Sequence, residues 1–229
     1  MVQARPQTDV VYPESDGQPM ANNTVQFEWI VALKQNLDRL HLPDTEIFVA
    51  GDLFWYPVEG RADICVAPDV LVAIGRPKGK RGSYQQWRED NIAPQIIFEI
   101  ISPSNTVQEM ARKVRFFQTY GTQEYYVYDP EQNTFDVFQR EGDRLVGGSA
   151  PDEWVSQLLG IKFVRSPETL TVYHPNGEAF TTYQEECDRA DQEQARADQE
   201  SERADREQNR AEKLAAKLRA LGMDPESLD

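Results

Sequence analysis

One acidic residue inside a very apolar stretch constrains the fold of this chain most. Residues 96–101 read Ile-Ile-Phe-Glu-Ile-Ile, with Glu99 as the charged position. A run this apolar is typical of a strand that is buried on both faces of a sheet. An ionised carboxylate in such a strand is strongly destabilising unless another group compensates its charge. The run therefore predicts a buried strand with a compensating positive charge beside Glu99.

The composition predicts one domain of ordinary size with an appendage. The chain has 229 residues, of which 39% are hydrophobic, and this is enough for a sizeable core. Cys65 and Cys187 lie far apart, so neither a disulfide framework nor a thiolate metal site is expected. No stretch approaches the ~18 apolar residues of a membrane span, and residues 1–20 contain no apolar segment with positive flanks. We therefore expect a soluble, cytoplasmic protein with no membrane partner.

The net charge limits how the chain can bind nucleic acid. A formal charge of -15 disfavours broad, nonspecific binding, because a polyanion is repelled at long range. Basic residues are nevertheless clustered in two places. They are Arg76, Lys78, Lys80 and Arg81 in a glycine-rich loop, and Arg112, Lys113 and Arg115 on a helix. These charges either form a local positive cleft for nucleic acid or are solvated surface charges, and both interpretations remain open.

Hydrophobic periodicity predicts two helices in the first half of the chain. The first begins at the capping residue Thr24 and ends near Leu40. The second follows a turn at residues 102–106 and ends at Gly121. The apolar stripe of the first helix consists of Phe27, Ile30, Val31, Lys34 and Leu37. The stripe of the second consists of Val107, Met110, Val114 and Phe117.

Segments rich in β-forming residues alternate with these helices and predict an α/β (α+β) fold. The predicted strand segments are 46–56, 61–74, 96–101, 125–128, 134–139, 161–164 and 170–173. A turn at residues 129–133 separates two of them and predicts a hairpin. Residues 75–94 are rich in glycine, proline and charge, which predicts a long loop, and long loops in compact domains are often functional.

The last part of the chain has a different composition. Residues 189–193 recur almost unchanged at 196–200, which is a heptad repeat. One line of the repeat is occupied by Ala190, Ala197, Ala204 and Ala211. Because these side chains are small, the repeat predicts either a solvated single helix or a weak coiled-coil homodimer. The predicted divisions of the chain are an irregular N-terminal segment (1–21), a domain (22–182), a charged heptad-repeat helix (183–222) and a tail (223–229).

Three residues form a candidate site for phosphodiester chemistry. A metal-dependent reaction of this kind needs oxygen ligands for a divalent cation, a water molecule activated by it, and a positive charge near phosphorus. Asp69 follows a proline at a break in a strand-like segment, and Glu99 lies in the neighbouring apolar strand. Lys113, on the second helix, can extend its ammonium group to the sheet. We predict that Asp69 and Glu99 bind Mg²⁺ or Mn²⁺, and that Lys113 stabilises the transition state or positions the attacking water.

Three further residues are weaker, accessory candidates. Glu109 lies one helical turn before the lysine, and Asp63 lies close in sequence to the aspartate of the site. Ser102 is better explained as a helix-entry residue than as a nucleophile, because no histidine lies near it. The three principal residues also have ordinary structural interpretations: a turn aspartate after proline, a carboxylate paired to an arginine, and a surface lysine.

The order of several short motifs resembles a known family. The motifs are Pro68-Asp69, the segment 99–104 (Glu-Ile-Ile-Ser-Pro-Ser), Glu109 with Lys113, Tyr120-Gly121, and the segment 124–130 (Glu-Tyr-Tyr-Val-Tyr-Asp-Pro). Over about residues 20–175 this order resembles the Uma-two family of restriction endonuclease-like proteins, within the PD-(D/E)XK nuclease superfamily. The glycine-rich stretch 75–79 and the heptad tail resemble a branch of the family expanded in cyanobacteria.

The resemblance implies both a fold and an activity. The implied fold is a restriction-endonuclease-like mixed β-sheet flanked by helices, with a long C-terminal helix after the nuclease domain. The implied activity is Mg²⁺-dependent endonucleolytic hydrolysis of DNA. The implied site consists of Asp69, Glu99 and Lys113, the same residues that the chemistry selects.

The chain departs from the family's pattern in two places. In the common arrangement of the superfamily, a lysine stands two residues after the glutamate. Ile101 occupies that position here, so we expect Lys113 to supply the ammonium group from the helix. Many relatives also have a histidine and a glutamate near the N-terminus, where this chain offers Asn22 and either Glu14 or Asp16. An alternative function is therefore a catalytically degenerate nuclease-like domain that binds partners or oligomerises through its acidic helical tail.

Overall fold

The computed structural model describes residues 10–15, 17, 21, 23–40 and 46–220. The described chain divides into two compact units, one ending at Thr182 and the other beginning at Tyr183. The predictions for the tail at 223–229, for the helix end at residue 222 and for most of the segment 1–21 lie outside the described residues.

The first unit combines helices and strands in a mixed α and β arrangement, and the described part of the second unit is a single helix. The helices of the described residues are α1 (Thr24–Leu40), α2 (Val107–Tyr120) and α3 (Tyr183–Ala220). The strands are β1 (Ile47–Gly51), β2 (Trp55–Tyr56), β3 (Val70–Ile74), β4 (Tyr84–Gln85), β5 (Ile96–Ile100), β6 (Glu124–Asp129), β7 (Thr134–Glu141), β8 (Arg144–Ser149), β9 (Glu153–Val155), β10 (Lys162–Arg165) and β11 (Leu170–Tyr173). A short 3₁₀ turn, Gln86–Arg88, follows β4. This arrangement confirms the predicted α+β class.

A six-stranded mixed sheet lies at the centre of the first unit, in the order β1-β3-β5-β6-β7-β8. β5 and β6 are parallel and are connected by α2, whereas the other neighbouring strands are antiparallel. Two smaller sheets have the orders β11-β10-β9 and β2-β4. The apolar run that contains Glu99 therefore forms β5, an interior strand of the large sheet, as predicted.

The two faces of the large sheet are covered by different helices, because side chains alternate along each strand. On one face, Ile30 of α1 packs in a buried cluster with Val72 and Phe98. On the other face, Phe117 of α2 packs with Ile97. Full burial of each such side chain contributes about 1.5–3 kcal/mol. The odd-numbered residues of β3 and β5 consequently lie on the side of α2.

The first predicted helix is confirmed as α1, but its cap and its buried stripe differ from the prediction. Asn23, rather than Thr24, caps the helix, since its Oδ1 accepts a hydrogen bond from the backbone N of Gln26 at 2.7 Å. Phe27 is 47% exposed, whereas Gln26 is 4% exposed. The buried positions of α1 are Gln26, Ile30, Leu33, Asn36 and Leu37. The helix therefore presents a polar side chain near its N-terminus to the sheet.

The second predicted helix is confirmed as α2, with both of its ends. The Oγ1 of Thr106 accepts a hydrogen bond from the backbone N of Glu109 at 3.2 Å, and Gly121 has the left-handed φ of 108° that ends the helix. The positions of the predicted stripe that pack in the core are Met110, Val114 and Phe117. Val107 is 88% exposed, because it lies in the first turn, before the part of α2 that packs on the sheet.

Most predicted strands are confirmed, and the turn at 129–133 joins β6 and β7 into an antiparallel hairpin. β4, β8 and β9 were not predicted: β4 lies in the segment 75–94 that was expected to be a loop, and of the predicted strand segment 61–74 only β3 is a named strand. β8 contains Gly147 and Gly148, and Leu145 is its buried residue, so it lacks the apolar alternation that marks a half-buried strand in sequence.

The second unit is built on α3. It is a helix of 38 residues, about 57 Å long at 1.5 Å per residue, and it confirms the predicted long C-terminal helix. Nearly all of its described side chains are exposed, and pairs such as Arg206 with Glu202, at 2.9 Å, link successive turns. In the described part of the chain, no helix combines the length and the apolar character needed to cross a membrane.

Candidate active site

Two carboxylates are neighbours at one end of β3 and β5. In the antiparallel register of these strands Val70 pairs with Phe98, so the next pair along the register is Asp69 with Glu99. The backbone N of Ile100 donates a hydrogen bond of 2.6 Å to Oδ2 of Asp69. This bond fixes the carboxylate of Asp69 against the end of β5.

Lys113 brings a positive charge to these carboxylates from α2. Its Nζ donates a hydrogen bond of 2.7 Å to Oε2 of Glu99. The side chain of Lys113 is 15% exposed and that of Glu99 is 3% exposed, so the ion pair is largely removed from solvent. The structure therefore brings together the three residues that the sequence selected, and it supplies the compensating charge expected beside Glu99.

The pKa values of all three groups are shifted by this environment. The pKa of Glu99 is raised to about 8, chiefly by burial; Lys113 opposes this shift, and the carboxylate of Asp69 adds to it. Burial likewise raises the pKa of Asp69, against the effects of Lys113 and of the N–H of Ile100. Burial lowers the pKa of Lys113, but the carboxylates of Glu99, Asp69 and Glu109 outweigh it, and the net shift is upward. Lys113 thus stays charged, and it does not fully compensate the two buried carboxyl groups.

One oxygen of Glu99 has no protein partner. Its Oε1 is buried and accepts no hydrogen bond from any described residue. A buried carboxylate oxygen left in this state is destabilising, and divalent cations such as Mg²⁺ prefer carboxylate oxygens as ligands. The unpartnered oxygen, with Asp69 beside it, fits a cation that would complete the charge compensation.

Two side-chain carboxylates, those of Asp69 and Glu99, are available as ligands at the candidate site. The described residues contain no group of three or more His, Cys, Asp or Glu side chains placed to hold a metal ion. Mg²⁺ usually keeps several water molecules and is bound through one or two carboxylates. Asp69 and Glu99 meet that requirement.

Gln26 of α1 belongs to the same site, and the sequence analysis missed it. Its Nε2 donates a hydrogen bond of 2.9 Å to the carbonyl oxygen of Ile100, and its side chain also hydrogen-bonds the carboxylate of Asp69. The available signal was a polar residue on the buried line of α1, since buried polar side chains are nearly always hydrogen-bonded. Among the N-terminal candidates, Asn22 and Asp16 lie outside the described residues, and Glu14 lies against Gly82.

The accessory candidates occupy different positions. Glu109 lies on α2, one helical turn before Lys113, and its charge adds to the upward shift in the pKa of Glu99. Ser102 is buried in the turn before α2, where its Oγ donates to Oδ1 of Asn105 at 3.2 Å. Asp63 is exposed and forms an ion pair of 2.6 Å with Arg61. Of these three, the structure places Glu109 with the candidate site and gives Ser102 contacts within the turn.

The basic residues of the loop 75–94 fall into two groups. Arg76 and Arg81 both form ion pairs with Glu89, at 3.0 and 2.6 Å, and the guanidinium group of Arg81 lies 3.9 Å from the ring centre of Phe48. Lys80 is exposed, and so is Arg112 on α2, next to the lysine of the site; Lys78 is half-buried. The two loop arginines therefore hold the loop together.

Comparison with known proteins identifies the family. Residues 12–165 match the family model Uma2, described as "Putative restriction endonuclease". The chain belongs to the Uma2 family. This membership confirms the resemblance inferred from the motifs, and Asp69, Glu99, Lys113 and Gln26 lie within the matched residues. α3 lies outside the Uma2 match.

Other comparisons add little to this family assignment. No curated protein matches the sequence. The chain is similar to the crystal structure of a "putative nuclease belonging to DUF820" from Anabaena variabilis, with 18% identity and a TM-score of 0.43, over 62% of this chain and 79% of that one.

Proposed function

We propose that this member of the Uma2 family is a divalent-metal-dependent endonuclease that hydrolyses phosphodiester bonds of DNA. The observation that carries the proposal is the convergence of Asp69, Glu99 and Lys113, with Oε1 of Glu99 buried and unpartnered. The description of the family supports a nuclease function. The metal, the DNA substrate and the roles of the individual residues are parts of the proposal.

Asp69 and Glu99 would hold Mg²⁺ or Mn²⁺ between their carboxylates. When bound, such a cation lowers the pKa of a bound water molecule and offsets negative charge on the phosphate. The protein's own contribution is to fix both ligands. The N–H of Ile100 and the amide of Gln26 hold Asp69, while Lys113 orients Glu99 through Oε2 and leaves Oε1 available.

Lys113 acts as a fixed positive charge rather than as a base. Its pKa is raised, since the surrounding carboxylates outweigh the effect of burial. An ammonium group has three N–H donors, and one of them is used by Glu99. The other two would donate hydrogen bonds to an attacking water molecule, or to a phosphate oxygen on which charge develops in the transition state.

Exposed basic groups near α2 and in the loop 75–94 would contact the DNA backbone. Arg112 and Lys80 are the exposed members of the predicted set, and each contact with a phosphate adds affinity that falls with salt. Lys78, Arg76 and Arg81 complete the proposed set. The last two would act chiefly by holding the loop in place, because Glu89 already binds their guanidinium groups.

The experiment compares two buried glutamates. Glu99→Gln is expected to abolish Mn²⁺ binding and DNA cleavage while the fold is retained. Glu124→Gln is the control. Glu124 is as buried in β6 as Glu99 is in β5, but it accepts hydrogen bonds from Ser156 Oγ and from the backbone N of Gln157. The Glu124→Gln variant should therefore lose stability and keep its Mn²⁺ affinity. Lys113→Met should bind Mn²⁺ and lose cleavage.

The measurements are calorimetric titration with Mn²⁺ and cleavage of plasmid, single-stranded and branched DNA. Wild-type Mn²⁺ affinity in Glu99→Gln would remove the basis of the enzymatic function. In that case the nuclease-like domain would be an interaction module, the alternative noted from the sequence.

A further inference from the structure

Tyr125 of β6 has a buried hydroxyl group without a partner. The residue is fully buried, and its Oη makes no hydrogen bond to any described residue. A tyrosine hydroxyl normally finds a partner when it is buried. The other buried tyrosines of the described residues follow that rule: Tyr56 donates to Pro13 O, Tyr84 to Ile92 O, Tyr126 to Glu124 and Tyr128 to Asn133.

The position of Tyr125 in the sheet places it beside the candidate site. β5 and β6 are parallel, with Ile97 opposite Tyr125, so Glu99 lies diagonally across from Tyr125 on the same face. Diagonal neighbours are within reach of aromatic and long side chains. The ring is held between Phe117 and Phe138, with centroid distances of 4.9 and 5.6 Å. The hydroxyl group is therefore fixed rather than free to turn toward solvent.

The hydroxyl group of Tyr125 is influenced by the carboxylates of the candidate site. Burial raises the pKa of Tyr125 well above its ordinary value, and the carboxylates of Glu99, Asp69 and Asp136 raise it further. The phenol consequently keeps its proton and can serve as a hydrogen-bond donor. Two unpartnered buried polar atoms, Oη of Tyr125 and Oε1 of Glu99, thus lie on one face of two adjacent strands.

We infer that Tyr125 is a positioning residue whose hydroxyl group hydrogen-bonds the water shell of the cation held by Asp69 and Glu99. The inference rests on the proposed function. It is consistent with a cation that retains several water molecules when few protein ligands bind it. The hydroxyl group of Tyr125, on the same face as Glu99, would orient these water molecules, and they would give the phenol the partner that the protein does not supply.

The test is to remove two hydroxyl groups separately in the full chain. Tyr125→Phe is expected to weaken Mn²⁺ binding about 10- to 100-fold, the usual effect of losing an outer partner of a metal site. Its urea unfolding midpoint without metal should not fall, because the lost hydroxyl group bonds no protein atom. Tyr126→Phe loses the bond to Glu124, so its midpoint should fall while its Mn²⁺ affinity is kept.

Three outcomes separate this inference from the proposed function. Free Mn²⁺ is measured by electron paramagnetic resonance for the wild type, Tyr125→Phe, Tyr126→Phe and Glu99→Gln. If the wild type binds Mn²⁺, Glu99→Gln does not, and Tyr125→Phe keeps full affinity, only the role of Tyr125 is overturned. If affinity and unfolding midpoint fall together in Tyr125→Phe, the hydroxyl group is structural and the inference is also wrong. If the wild type does not bind Mn²⁺, both proposals are overturned.

Discussion

At the scale of single residues, the pKa of Glu99 gives the proposed metal site a defined pH dependence. A carboxyl group must lose its proton to bind a cation, and burial raises the pKa of Glu99 to about 8, so much of the free protein is protonated there at neutral pH. We expect the apparent affinity for Mg²⁺ to rise with pH, by up to about tenfold per unit below pH 8, and then to level off. Calorimetry from pH 6.5 to 9, in buffers of different ionisation enthalpy, measures both the affinity and the released proton. An affinity that does not change with pH would contradict this prediction.

Some residues of the candidate site can be recognised from the sequence, and others cannot. Glu99 was recognisable because a charge in an apolar run demands an explanation, and Lys113 because the next helix carries a residue of the required charge. Gln26 was not recognisable in this way. Its partner, the carbonyl oxygen of Ile100, is 74 positions away in the chain, and local periodicity favoured the larger apolar side chain of Phe27 as the buried one. Polar contacts between distant elements depend on the packing of α1 against the sheet, which no local pattern specifies.

At the scale of elements, the loop 75–94 depends on one glutamate. Glu89 receives hydrogen bonds from Arg76 and Arg81, and its side chain is 12% exposed. Glu89→Gln would remove the carboxylate shared by two largely buried guanidinium groups and leave Arg76 only its pair with Asp90. We expect a loss of stability of about 2 kcal/mol, below the 3–5 kcal/mol range of fully buried pairs. Asp90→Asn is the matched control, since Asp90 also pairs with Arg76 but is 79% exposed. Its effect should stay within about 0.5 kcal/mol.

Urea unfolding of the two variants measures this difference. Equal losses of stability in Glu89→Gln and Asp90→Asn would mean that the exposed ion pair of Asp90 is as important as the buried pairs of Glu89. No loss in either would mean that the loop does not depend on these ion pairs.

Helices and strands were predicted correctly where one face or both faces of the element are buried. β5 and β6 have apolar runs that leave no other interpretation, and α2 has both a cap and a terminal glycine. β8 escaped prediction because its pairing with β7 comes from backbone hydrogen bonds, while its side chains are mostly exposed. Strands of this kind are specified by their neighbour rather than by their own sequence.

At the scale of the whole molecule, the charge distribution bears on how DNA can bind. The net charge is -15, and the residues of α3 include 11 acidic and 8 basic side chains, so most of the negative charge lies elsewhere. An acidic protein attracts a divalent cation and repels a polyanion at long range. The proposed DNA binding would therefore depend on short-range contacts at groups such as Arg112 and Lys80 and on a cation held at the proposed site, and not on general attraction.

The independence of the first unit from α3 is testable by truncation. The last residues before α3 are fixed within the first unit: Nδ2 of Asn36 donates to the carbonyl oxygen of Thr181 at 2.7 Å, and Oδ1 accepts from the backbone N of Thr181 at 3.1 Å. The backbone N of Phe180 also donates to Val172 O at 2.7 Å. A chain ending at Thr182 keeps these bonds, so we expect its unfolding midpoint and Mn²⁺ affinity to equal those of the full chain.

A chain ending at His174 is the control, because it loses both hydrogen bonds between Asn36 and Thr181 and also the Phe180 ring, which lies 4.4 Å from that of His174. Its midpoint should fall, since each intramolecular hydrogen bond that is lost costs about 0.5–1.5 kcal/mol. Sedimentation of the full chain and of the chain ending at Thr182 then decides between the two alternatives for the heptad helix. A larger mass for the full chain at high concentration, absent after truncation, would identify the weak homodimer. Identical monomeric masses would leave α3 as a solvated single helix, held by its exposed ion pairs and therefore sensitive to salt.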